Sequence, residues 1–143
     1  MTRVDAVEVI PVSVPVDTGL DTAASDAGAA DRYDRLLLHV TLSDGTDGWG
    51  EAAPYPSWPG SKSFDATHDD LRRLADVLVG RDATDVADAV ATCAARLDAD
   101  APFAVAGVDV ALHDALARRR AVPVYDLLGG AASRTLRLHH TLG

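Results

Sequence analysis

Part-way along the chain the spacing of apolar residues changes period, and this constrains the fold more than any single motif. From Val4 to Val14, "VDAVEVIPVSV" alternates apolar and polar residues with period two, the pattern of a half-buried strand. Pro11 and Pro15 cannot donate to a ladder, so this strand is expected at a sheet edge or end. Arg35 to Leu42 reads as a second strand, Asp44-Gly45 as a tight turn, and a third strand runs to about Ala52, which together signal a hairpin.

After a proline-rich stretch the period becomes helical. Ser63 can cap a helix with an apolar stripe at Leu71, Leu74, Ala75 and Leu78, which Gly80 ends. Thr84 or Asp85 can cap the next, with Val86, Ala89, Val90 and Cys93 facing inward. Pro102 suits a first helical turn, and "FAVAGVDVALHDALARRR" continues as an apolar helix. Arg118 to Arg120 fall in its last turn, where cations oppose the negative dipole end. "VPVYDLLGG" then leaves through Pro123 and closes on two glycines. Strands first and helices afterwards predict an α+β domain, with the helices on one face of a small antiparallel sheet.

Two segments stand apart from this pattern. "PVDTGLDTAASDAGAADRYD" has no periodicity and reads as a long loop, a kind that in compact domains is usually functional or disordered. "GWGEAAPYPSWPG", Gly48 to Gly60, gathers two tryptophans and a tyrosine among three prolines, in a chain that is only 5% aromatic. Near the end, "TLRLHHTLG" alternates again and predicts a further strand from Thr135 to Leu142. A strand with no partner leaves an open edge, so the sequence is expected to be a fragment of something larger.

Composition excludes several roles. The chain has 143 residues, enough for a core without staples, and carries a net charge of -9. That charge disfavours nucleic acid and anionic membranes as partners. No apolar run is long enough to span a bilayer and no secretory leader is evident, so a cytoplasmic protein is expected. Lys62 is the only lysine, and all but Glu8 and Glu51 of the 22 acidic residues are aspartate. Short hydrated carboxylates without long lysine stems suggest a halophilic protein from a salt-rich cytoplasm; genomic bias toward Arg and Ala is the plain alternative. Cys93, alone, forms no disulfide framework and reads as a small buried hydrophobe.

Taken in order, "DGWGEAAP" after a hairpin, the helix "AVAGVDVALHDALARRRAVPVYDLLGG" and a strand from Thr135 resemble the N-terminal capping region of the enolase superfamily. The resemblance covers essentially the whole chain and is nearest to the mandelate racemase and muconate lactonizing branch, with its dipeptide epimerases and o-succinylbenzoate synthases. It implies a three-stranded antiparallel meander and a helical bundle over residues 1–130, then the first strand of a (β/α) barrel over 131–143. It also implies a racemase, epimerase or cycloisomerase that abstracts a proton next to a carboxylate, with Mg²⁺ stabilising the charge that develops. The metal carboxylates and acid/base groups of such enzymes lie on the barrel, so the resemblance places no catalytic residue and no metal ligand here. The chain alone is expected to be inactive, its candidate partners being the missing barrel, a small carboxylate substrate and further copies of itself.

In such relatives two capping loops close over the substrate. By order, Asp17 to Asp31 corresponds to the first and Ala53 to Ser61 to the second, which makes Tyr55, Ser57 and Trp58 the candidate substrate-binding residues. Prolines around them would limit the entropy lost on closure. The plain alternative is a surface turn folded onto its own domain.

Other constellations read as structural. Asp109 and His113 share a helix face at a spacing that can hold a metal, with Asp114 beside them. The resemblance instead makes Asp109 and Asp114 structural acids that hydrogen-bond neighbouring backbone. Adjacent His139 and His140 would face opposite sides of a strand. His39 reads as sheet packing, His68 as solvated, and Glu51 as a hydrogen-bonding residue where domains meet. No phosphate or dinucleotide fingerprint occurs, because Gly129-Gly130 ends a helix where such a motif would open one. A rival function stays open: a free-standing, non-catalytic α+β domain that binds another protein through the Tyr55/Trp58 loop and the final strand.

Overall fold

A computed structural model describes residues 2–15, 32–55, 61–97 and 101–138. Three antiparallel strands, β1 (Val4–Pro15), β2 (Arg32–Leu42) and β3 (Asp47–Ala52), form a sheet in the order β1-β2-β3. The expected meander is thus observed, and β1, with its two prolines, is an edge strand. Gly45 takes a φ of 83° in the turn joining β2 to β3, a conformation that glycine adopts without cost. Four helices follow: α1 (Phe64–Leu78), α2 (Val86–Ala94), α3 (Pro102–Arg120) and the short α4 (Val124–Leu127).

Sheet alternation decides the core. Leu36, Leu38, Val40 and Leu42 of β2 point to one face and are fully buried against Leu71, Leu74 and Leu78 of α1 and Val108, Ala111 and Leu112 of α3. Each such leucine contributes roughly 2 kcal/mol by leaving water. The caps agree with the sequence: the Ser63 hydroxyl accepts from the Ala66 N–H, and Asp85, not Thr84, accepts from the Asp88 N–H. Cys93 is buried on α2, and burial pushes its thiol pKa up.

The glycines of "DGWGEA" have a packing reason. A Cβ on Gly50 would fall on the Gly107 carbonyl oxygen, and one on Gly48 would meet the backbone of Ala111 and Ala115. Helix α3 therefore lies directly on β3, glycine and alanine against glycine. On the outer edge of β3 the Trp49 N–H donates to Asp114 Oδ2 at 2.9 Å, so α3 also satisfies one of that edge's donors.

One expectation fails over the described residues. Residues 135–138 form no strand, and Leu136 and Leu138 are 83% and 99% exposed. Alternation alone cannot make a strand, because the ladder hydrogen bonds need a neighbour and no described residue pairs with this segment. His139 and His140 are outside the described residues.

Candidate functional site

The meander brings the end of β1 at Pro15, the start of β2 at Arg32 and the end of β3 at Ala52 to the same end of the sheet. Residues 16–31 and the segment after Ala52 are therefore both rooted there. Helix α1 also starts at this end, at Ser63, which brings Phe64 next to the strand ends. Together these elements outline a cleft of about 230 Å³, lined by Arg32, Tyr33, Arg35, Pro54, Tyr55 and Phe64, with Asp34.

The cleft is rich in cations and rings. The Arg32 guanidinium donates to both the hydroxyl and the carbonyl of Ser13 at 2.8 Å, which holds it across the ends of β1 and β2. Arg35 lies 4.9 Å above the Tyr33 ring, donates to the Asp34 carbonyl and pairs with Glu51 at 3.1 Å. Tyr55 is 43% exposed, and its backbone N–H donates to Ser61 Oγ at 2.9 Å, tying the two roots of the intervening segment together. The carboxylates of Asp34 and Glu51 balance the two guanidiniums, so the cleft offers hydrogen-bond donors and aromatic surface without a net positive charge. Of the candidate substrate residues, Tyr55 sits at the cleft, while Ser57, Trp58 and the Asp17 to Asp31 loop lie outside the described residues.

A wider groove of about 750 Å³ runs between β1 and α1, lined by Val7 and Val9 and by charged residues of α1 including His68, Asp69 and Arg72. It lies along the length of α1, away from the end where the strands converge. The remaining candidates resolve into structural contacts. Asp114 accepts from Trp49 and from Arg118 Nε at 2.9 Å, and His113 Nδ1 lies 3.0 Å from both the carbonyl and the carboxylate of Asp109. His39 is on the sheet face opposite the helices, stacked on Trp49 at 4.2 Å between the carboxylates of Glu8 and Asp47. The Asp47 carboxyl is held below its usual range, first by a hydrogen bond from the Trp49 indole. Among the described residues no group of three or more His, Cys, Asp or Glu side chains could hold a metal ion, and no helix is long and apolar enough to cross a membrane.

Sequence reasoning passed over Arg32 and Arg35 at the cleft, and Lys62 behind it. The signal available for Lys62 was its being the only lysine of the chain. For the arginines none existed, because their relation to Tyr55 depends on strand pairing.

Residues 6–129 match the family described as "Mandelate racemase / muconate lactonizing enzyme, N-terminal domain". The chain belongs to this family, within the enolase superfamily. It is 39% identical over 110 residues to muconate cycloisomerase 1 of Rhodococcus opacus, an alignment covering 76% of this chain and 29% of the relative. It is 29% identical to the aromatic dipeptide epimerase of Herpetosiphon aurantiacus, over 93% of this chain and 36% of that protein. The structure of 2-chloromuconate cycloisomerase from Rhodococcus opacus 1CP superposes with a TM-score of 0.77 at 27% identity, covering 92% of this chain and 34% of that one. The chain thus spans about a third of the length of these relatives.

Proposed function

We propose that this chain is the substrate-capping portion of an enolase-superfamily isomerase, a racemase, epimerase or cycloisomerase acting on a small carboxylate in a salt-rich cytoplasm. Residues 1–130 form the cap and 131–143 lead into a (β/α) barrel, which takes about 250 residues and carries its active site at the C-terminal ends of its strands. The observation that carries this reading is the convergence of both long connecting segments on one sheet end, at a cleft lined by Arg32, Arg35 and Tyr55. The two capping loops of such an enzyme must reach one substrate, and this topology roots them side by side. Guanidinium donors at that end suit a carboxylate group.

The described residues do not fit Mg²⁺, since none of them gather as a ligand group, so the ion's ligands are assigned to the barrel. An ion held there would supply positive charge beside the substrate carboxylate. The task of this chain is to orient the acid and exclude water, with Tyr55, Ser57 and Trp58 as the contacts, and it contributes no base to the proton transfer. The test is Trp58→Ala in the intact enzyme, assayed against a panel of dipeptides and muconate-like acids. A shift of about tenfold or more in relative kcat/KM between two substrates is expected from the loss of an aromatic contact. An unchanged profile removes the reading.

A further inference from the structure

We propose that Asp70 is a positioning residue that fixes Tyr55 at the cleft through Lys62 and Ser61; this inference rests on the capping reading above. Asp70, in the second turn of α1, is 1% exposed and is the only charged residue among the buried polar ones described. Each of its oxygens meets a cation: Lys62 Nζ is 2.8 Å from Oδ2, and the Arg73 guanidinium is 2.8 Å from Oδ1. Lys62 is the only lysine in the chain, and it directly follows Ser61, the residue that accepts the Tyr55 N–H.

The contacts run without a gap from the cleft to the helix. Tyr55 is tied to Ser61, the Ser61 hydroxyl donates to the Lys62 carbonyl at 3.2 Å, and the Lys62 ammonium is held by Asp70. Ser63 then caps α1, and its carbonyl accepts from both the N–H and the hydroxyl of Thr67. Both roots of the 56–60 segment are thereby referred to one carboxylate inside α1.

A carboxylate taken out of water has a high cost unless it is paired, so Asp70 draws the Lys62 stem inward and restricts where Lys62 and the adjoining Ser61 sit. The two cations differ in setting. The Arg73 side chain is 66% exposed and three residues away on the same helix, so it ties Asp70 only to its own turn. The Lys62 side chain is 17% exposed and reaches Asp70 from outside the helix, so of Asp70's two pairs it is this one that links the carboxylate to the Ser61–Tyr55 tie.

The experiment is residue-resolved amide hydrogen exchange on the 143-residue chain, comparing Asp70→Asn, Lys62→Gln and Lys62→Arg with the parent. Asp70→Asn and Lys62→Gln are expected to speed exchange at Tyr55, Ser61 and Lys62 by at least about tenfold while Leu71 and Leu74 keep their protection. Lys62→Arg, which keeps the charge, is expected to restore parent rates at Tyr55. Unchanged rates in both charge-removing variants, or an equal loss of protection throughout α1, would overturn the proposal. Neither result touches the Trp58→Ala substrate profile, so a failed latch and a failed capping role are told apart.

Discussion

The two ends of the sheet are built differently. At the turn end a single short turn, centred on Asp44-Gly45, joins β2 to β3, and backbone hydrogen bonds fasten the neighbouring chain to it. Val4 N–H donates to the Arg81 carbonyl, Gly80 N–H to Val4, Ala83 N–H to Thr2 and Ser43 N–H to Arg3. Arg119 from the last turn of α3 reaches Asp44 at 2.7 Å. At the opposite end three strand termini meet and two segments depart, and among the described residues side chains make the ties Arg32 to Ser13, Ser61 to Tyr55 and Lys62 to Asp70. Backbone ties do not depend on which side chains are present, whereas side-chain ties can be changed one residue at a time. The closed end therefore suits a constant scaffold and the open end a variable recognition surface.

Breaking the scaffold has the largest expected effect. Gly50→Ala places a methyl on the Gly107 backbone, which must then move away from β3, at a cost of about 3 kcal/mol. Thermal unfolding should show a clear fall in Tm, and a Tm within a degree of the parent would mean that the α3–β3 seam does not hold the scaffold. Salt tests the balance of the whole chain next. Ions weaken pairs such as Arg119–Asp44, yet they also screen the self-repulsion of a net charge of -9. Repulsion is expected to dominate, with Tm rising by roughly 5 °C between low and molar salt. A flat or falling curve would end the salt-adapted reading.

The smallest effect is in the acid limb. Asp44, Asp47 and Asp82, all at the turn end, have carboxyl pKa values lowered from 3.8, by hydrogen bonds first from Thr46, Trp49 and Thr84 respectively. A lowered folded-state pKa stabilises above the unfolded value, and that contribution is lost as pH falls below about 3.8 through the folded value. Asp82→Asn should therefore be less stable than the parent at pH 7, with the gap closing below that point, as urea unfolding at several pH values would register. A gap independent of pH would mean that the Asp82 charge is not what fastens the turn end.

Much of this was legible in the chain. The alternation from Val4 to Val14, the Asp44-Gly45 turn, Ser63 as cap, Pro102 at the start of α3 and the buried stripe of Leu71, Leu74 and Leu78 are local signals, and each stands where its pattern placed it. Thr135 to Leu138 shows the limit, since its alternation matches a strand but a strand also needs a neighbour. His39 reads as packing in "LLLHVTL", yet it stacks on Trp49 on the outer face, a partnership made by the β2–β3 register.

The sequence by itself determined most of the elements and their order, because period, caps and turn residues act over a few neighbours along the chain, and its motifs carried the resemblance to the family. Only the tertiary structure decided that Gly50 needs to be glycine, that Arg32 and Tyr55 share a cleft, and that Asp70 holds Lys62. The first two join residues more than 20 positions apart, and the third joins a loop to the interior of a helix. Such contacts depend on how strands pair and helices dock, a geometry that no local pattern encodes.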